Sequence, residues 1–423
     1  MTLKRNIFAN YIGAGAAAAA PILALPWYLA ALGPKQYGLI SFVAMLQSLL
    51  ALLDAGLSQA LVREFAIRTG DSVAERQRAS TLLFGFERIY WLFALGAGGI
   101  TIALAQPIAV HWLNLGGLPE AVGQYAVWGA AAIFAAQFPG SIYRSVLIGT
   151  QAHVALNGTL FAGTLLRHAG GVAVVTLWPN LYAYLSWQAT AALLETLLRG
   201  WLAWRTLGRQ RGQVHWNWVE LRPVWRLAVY LSGATVLGAL TVQMDKIVLS
   251  RMASIEQLGY YSIAATVSLG SLQLVYPLMQ AVLPRAIHLR DDPAALRALN
   301  LKVFALIAML CGTGALVFWA VGRWLLTIWL SDAQAVAQIY PWLAVLLTGT
   351  ALNAFYNVGY TSWLAREQTH KVLAVNAISF VASIVLLPYL IARHGTIGAA
   401  FGWLAMNLIG FALSLEWLKR SDK

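Results

Sequence analysis

Charge is scarce in this chain and cysteine is nearly absent. Only 11% of the 423 residues are charged, and acids are the rarer sign, 16 against 29 bases, whereas an ordinary soluble domain carries about 25% charged residues. With 60% of residues hydrophobic, that balance belongs to a membrane protein rather than a soluble one. The single Cys311 admits no internal disulfide and matches no metal-ligand spacing, so neither a covalent staple nor a metal site is expected. Short catalytic signatures are missing as well: no G-x-x-x-x-G-K-[ST], H-E-x-x-H, G-x-S-x-G or EF-hand loop occurs, and the outer loops are too short to form the extramembrane domain that intramembrane glycosyltransferases need. The chain is read as a non-enzyme without an organic cofactor.

What the sequence has in abundance is long apolar runs. A helix needs about 20 apolar residues to cross about 30 Å of hydrocarbon, and twelve such runs fall near 7–32, 38–61, 80–105, 123–147, 157–178, 182–204, 227–250, 258–283, 301–322, 340–364, 372–391 and 396–417. All are expected to be helical, because lipid offers backbone amides no partners, and the two-residue alternation of a membrane barrel is missing. The first run follows Lys4 and Arg5 as a signal peptide would, but it continues to Leu32. It is therefore taken as a span rather than a cleaved leader.

The formal charge of +13 would suggest nucleic acid in a soluble protein. Here its placement explains it. With the N-terminus cytoplasmic, the inner segments hold 21 of the 29 bases and the outer segments only Lys35, Arg251, Arg323 and Arg393, which by the positive-inside rule puts both termini in the cytoplasm. No nucleic-acid partner is expected. The longest inner loop, 205–226, carries Trp216, Trp218 and Trp225, able to lie in the headgroup layer, and divides the chain into lobes at 1–204 and 227–423.

The lobes are related in sequence. YRSVLIGTQAH (143–153) and YTSWLAREQTH (360–370) share Tyr, Ser, Leu, Gln and His at a constant offset of 217, which also superposes Trp112-Leu113 on Trp329-Leu330; an offset of 221 lays KQYG (35–38) against EQLG (256–259). Six helices in each lobe make the repeats parallel, related by an axis along the membrane normal. The expected architecture is an all-α integral membrane protein of about twelve helices in two pseudo-symmetric six-helix lobes around a central cleft.

Charges inside the predicted helices are the functional candidates, since burying charge in a membrane is costly. They are Asp54, Glu87, Arg88, Arg167, Glu195, Arg199, Asp245 and Lys246, with Arg144 at the inner end of its helix. Seven of these nine lie in the first lobe, which suggests an arginine-rich pocket open to the cytoplasm, suited to phosphate because the guanidinium fork binds phosphate oxygens in pairs. Alternatives stand beside this: Glu195 and Arg199, four apart, can pair with each other, and Asp54 can accept from Ser58. Asp245 falls about 27 Å along its helix at 1.5 Å per residue, near the outer surface. It points about 100° away from Lys246, which is left free to snorkel to outer headgroups.

ALGPKQYGLISF with LLDAGLSQALVREFA (52–66), and the Asp-Lys of the seventh helix followed by LGYYSIAA (258–265), resemble the polysaccharide transporter branch of the multidrug/oligosaccharidyl-lipid/polysaccharide exporter (MOP) superfamily, and within it the O-antigen flippases called Wzx. The resemblance spans the whole chain. It implies a bacterial inner-membrane protein that moves an undecaprenyl-pyrophosphate-linked oligosaccharide from the cytoplasmic to the periplasmic leaflet by alternating access. Arg88, Arg144, Arg167 and Arg199 would meet the pyrophosphate and sugar, joined by Tyr143 and Tyr360 of the repeated motif. Asp54, Glu87, Glu195, Asp245 and Lys246 would serve gating or coupling to H+ or Na+, and the partners would be membrane lipids and the polysaccharide polymerase with its chain-length machinery. The alternatives are a multidrug or cation antiporter of the related MATE branch and a lipid II-type flippase, though lipid II flippases usually have fourteen helices.

Overall fold

The computed structural model describes residues 3–54, 56–68, 72–208 and 214–418. Of the bases counted for topology, Arg209, Arg211, Lys419, Arg420 and Lys423 lie outside the described residues, as do the side chains of Lys4, Arg5 and Arg68. The described residues form fourteen α-helices of ten residues or more, and no strand: α1 Leu3–Leu50, α2 Leu57–Arg68, α3 Val73–Ala103, α4 Glu120–Gln137, α5 Gly140–Gly149, α6 His153–Leu177, α7 Leu181–Thr206, α8 Trp218–Met252, α9 Ile255–Ser271, α10 Tyr276–His288, α11 Pro293–Leu330, α12 Ala333–Ala365, α13 Thr369–His394 and α14 Ile397–Ser414.

Each of the twelve predicted runs coincides with helix, but several are broken at points that hydropathy does not mark. The first two runs join in α1 across a sharp bend at Gly33 (φ 75°, ψ 168°), followed by Pro34, a backbone conformation open to glycine and strained for other residues. The second run breaks again at a 3-10 turn over Ala51–Asp54, the fourth at Phe138 and Pro139, and the eighth at a 3-10 turn over Leu272–Leu274. Helix ends are capped by the few polar residues available. Ser72 accepts from the Glu75 amide and donates its hydroxyl to the Glu75 carboxylate, Asn180 and Ser254 accept from backbone amides three residues on, and Asp292 and Asp332 do the same before α11 and α12, satisfying orphan amides that lipid would leave bare.

Among the described residues, seven helical runs are long and apolar enough to cross a bilayer, or eight if the bent pair Ala74–Ala103 and Ala105–Trp112 counts as one. α7, which carries Glu195 and Arg199, is not among them. At the other extreme α11 turns Leu316, Trp319, Trp324 and Ile328 outward, Trp319 at 81% exposure, as a helix facing lipid does.

The chain divides into two compact units, Met1–Val236 and Leu237–Lys423, the change falling inside α8. In the first unit α1 packs on α6, α4 on α7, and α2 on α5. Phe65, Leu82, Phe86, Tyr90, Phe138 and Ile142 fill its main core, which Leu221 and Val224 from the start of α8 complete. In the second unit α12 is the hub, packed on α9, α11 and α14. Trp216 and Trp218 of the connecting segment stack with ring centres 6.3 Å apart and are about half exposed, whereas Trp225 turns inward onto Phe93.

The internal repeat is visible in how each unit is built. The 3-10 breaks at Ala51–Asp54 and Leu272–Leu274 begin 221 residues apart, the offset of the KQYG and EQLG segments. The longer motif needs a correction. Its two copies do end in the same turn, with a left-handed residue at Gln151 (φ 56°) and Glu367 (φ 61°), and matching bonds from Ala152 N to Leu147 O and from Gln368 N to Trp363 O. Those turns are 216 residues apart, so the identities at offset 217 sit one residue out of structural register, and Tyr143 and Tyr360 are not equivalent. The repeated letters survive at the same turn, not at the same place in it.

No atom lies within 4 Å of a Cβ built on Gly33, so a substitution there strains the backbone alone. Gly33→Val is expected to destabilise the protein by about 1–3 kcal/mol and Gly33→Asn by less, since Asn tolerates positive φ. Thermal unfolding of the purified variants in detergent checks the order.

Candidate functional site

Three helices of the first unit bring the arginines together. On α7, Glu195 and Arg199 are one turn apart and form an ion pair through Oε1 and Nη2. The other carboxylate oxygen of Glu195 accepts from Arg167 of α6 at 2.8 Å. Arg167 also donates from Nη1 to Gln137 of α4 at 3.0 Å, while its backbone carbonyl receives Gln188 of α7. Arg199 donates from Nε to Thr159 of α6 at 3.4 Å. Glu195 and Arg199 are buried, at 8% and 9% exposure. A buried carboxylate between two guanidiniums needs at least one of them, because a carboxylate left with neither is an uncompensated charge in a poorly solvating medium. The approach depends on Gly163, where any side chain would collide with the Glu195 carboxyl.

The set is unbalanced toward positive charge. Arg144 of α5 stands close enough to Arg199 for their like charges to interact. It is exposed, and no hydrogen bond or ion pair engages it among the described residues. The buried Nε of Arg167 also lacks a partner. Three arginines against one glutamate leave a formal charge of +2 and donors to spare. Such a cluster can hold an anion through bidentate guanidinium contacts.

Beside it lie two acids, each held by a tyrosine. Asp54 accepts from Ser58 at 2.6 Å and from Tyr90; Glu87 accepts from Tyr143 at 2.6 Å and from Trp204 at 3.3 Å. Tyr143 is thus committed to Glu87 and buried. Arg88 follows Glu87 in sequence but departs from the cluster: it is exposed, lies over the Phe84 ring 3.3 Å from its centre, and donates to the Phe84 carbonyl.

In the second unit Tyr261 donates to Asp245 at 2.7 Å, and Asp245 also accepts from the Lys246 amide. Lys246 does not snorkel outward. Its side chain is only 12% exposed, and Nζ curls back to 4.0 Å from the Asp245 carboxylate, because the buried acid is its nearest counter-charge. Asp245 lines a small cavity with Ser268, Leu346 and Trp403, of about 10 Å³, room for about one water. Tyr360 is half-buried against Tyr356 and meets none of the charged candidates.

Tyr90, Gln137, Thr159, Gln188, Trp204 and Tyr261 were missed by sequence reasoning, since only their partners' charges stood out. The same holds for the buried Ser268–Thr350–Trp403 bonds and the Asn353–Asn407 pair. Only the i,i+4 spacing of Asn353 and Asn357, which bond each other, offered a signal. Among the described residues no group of three His, Cys, Asp or Glu could hold a metal ion.

The family model "Polysaccharide biosynthesis protein" matches residues 3–289, about two thirds of the chain. The chain belongs to this family. A Shigella flexneri protein named as an O-antigen transporter is 20% identical over 426 residues, covering 99% of this chain and 98% of that one. Two solved structures share the fold: lipid II flippase MurJ in an inward closed conformation, with TM-score 0.77, 12% identity and coverage of 98% and 87%, and a MATE-family multidrug transporter of the MOP superfamily in an inward-facing conformation, with TM-score 0.76, 13% identity and coverage of 95% and 93%. This member of the polysaccharide biosynthesis family is thus a multi-pass protein of the bacterial inner membrane with the fold of MOP transporters.

Tyr90→Phe removes the tyrosine donor from the Asp54 carboxylate, for an expected loss of about 1–3 kcal/mol. Arg88→Gln should change stability by less than about 0.5 kcal/mol, as surface changes do. Denaturation of both variants in the same detergent compares them directly.

Proposed function

We propose that this protein is a flippase for surface-polysaccharide repeat units, which moves an undecaprenyl-pyrophosphate-linked oligosaccharide from the cytoplasmic to the periplasmic leaflet. The observation that carries the reading is the cluster of Arg144, Arg167 and Arg199 around the single acid Glu195. A diphosphate joined to lipid at one end and sugar at the other bears one negative charge on each phosphate, and the +2 of the cluster matches it. Family membership and the relative named as an O-antigen transporter support the substrate class.

In this reading twelve helical passes place both termini in the cytoplasm, and the arginine pocket is exposed to each leaflet in turn. Arg144 makes first contact because it is exposed and its donors are uncommitted. The polyprenyl chain stays in lipid, and the delivered unit passes to the polymerase and its chain-length machinery. Asp54, Glu87 and Asp245 are the carboxylates available for coupling to H+ or Na+; each is held by a tyrosine hydroxyl that can follow a change in carboxylate charge. Lys246 beside Asp245 already supplies one positive charge there.

Deleting the gene should make undecaprenyl-linked repeat units accumulate on the cytoplasmic side and remove the surface polysaccharide. Arg144→Ala should reproduce that loss at normal protein level, and Arg144→Lys should restore export only in part, because an ammonium lacks the planar fork. Unchanged surface polysaccharide with altered drug sensitivity in the deletion strain would refute the proposal.

A further inference from the structure

The anion pocket already contains an anion. Glu195 presents two oxygens to two guanidiniums, as a phosphate would, and a bound diphosphate must share those donors with it. The two bonds differ in kind. Glu195 to Arg199 lies within one helix and is the more buried, with side-chain exposures of 7% and 10%, whereas Glu195 to Arg167 bridges α7 to α6, and Arg167 is 18% exposed. An entering anion can take Arg167 without stranding Glu195, because Arg199 stays paired with it. Arg167 can also leave one acceptor for another, since its buried Nε has no partner.

We propose that Glu195 is a specificity- and release-determining residue that competes with the substrate diphosphate for Arg167. Binding transfers Arg167 from the carboxylate to the phosphate and opens this one of the α6–α7 links; release reverses both. Diphosphate, Glu195 and the three arginines then sum to neutrality, so the occupied pocket holds no excess charge. Without Glu195 the empty pocket would carry +3, bind the diphosphate too tightly and surrender it slowly. This inference rests on the anion-binding reading above but makes a separate claim about Glu195.

The test uses the full-length protein in lipid nanodiscs, with farnesyl diphosphate as probe and farnesol as control, together with export of surface polysaccharide in cells. Glu195→Gln should bind farnesyl diphosphate about ten-fold more tightly, leave farnesol binding unchanged, and slow export. The double variant Glu195→Gln with Arg199→Gln, which returns the formal charge to +2, should bring affinity back toward wild type. Gly163→Ala, which keeps the carboxylate but crowds it off its place, should shift affinity in the same direction as Glu195→Gln, and it decides the matter if Glu195→Gln does not fold. A structural brace would behave differently: unchanged or weaker binding in Glu195→Gln or, where that variant does not fold, in Gly163→Ala overturns the competition while Arg144→Ala still weakens binding. If the wild-type protein does not bind the diphosphate at all, the anion-binding reading fails and this inference with it.

Discussion

The first unit depends on one constraint: charge placed in a medium that does not solvate it must be answered by other charge. Glu195 meets that requirement with two arginines from two helices. The surrounding details follow from it. Gly163 has no side chain because the carboxyl needs the space, the buried Thr159 and the exposed Gln137 accept from guanidinium donors that must be satisfied, and α7 is too polar to pass as a simple apolar span. The acids Asp54 and Glu87 are each bonded to a tyrosine hydroxyl. A buried ion set of this kind is weak support for stability, since well-packed apolar residues often serve as well or better.

Fold class and the placing of the helices were legible because membrane solvation writes them in large letters: apolar runs of span length, and basic residues gathered in alternate loops. The positions of the breaks were not. Phe138-Pro139 and Leu272–Leu274 interrupt helices within apolar stretches, and hydropathy averaged over a span does not register a local change in hydrogen bonding. The motif repeat was legible in letters and misleading in register, because a one-residue shift at the turn changes which side chain points where without disturbing the identities. That is why Tyr143 reaches Glu87 while Tyr360 packs against Tyr356.

Among site residues the charged ones announced themselves and their neutral partners did not. The Glu195–Arg199 spacing predicts their pairing, and Ser58 is a partner for Asp54 that sequence alone suggests. Arg167 stands out as a charge, but its bond to Glu195 across two helices needs the fold. Lys246 shows the limit of reasoning from one helix alone. The angle between neighbours turns it away from Asp245, but its long flexible stem lets the ammonium curl back toward that acid. Arg88, chosen as a buried charge, escapes burial by lying along its own helix.

The central claim is that the pocket of Arg144, Arg167 and Arg199 is the seat of the diphosphate. The most direct measurement is a cryo-electron microscopy map of the protein bound to a polyprenyl-diphosphate-linked sugar. Diphosphate density is expected within hydrogen-bonding distance of Arg144 and Arg167. Density for the diphosphate beside Asp245 and Lys246 in the second unit, with the arginine pocket empty, would be incompatible with that claim.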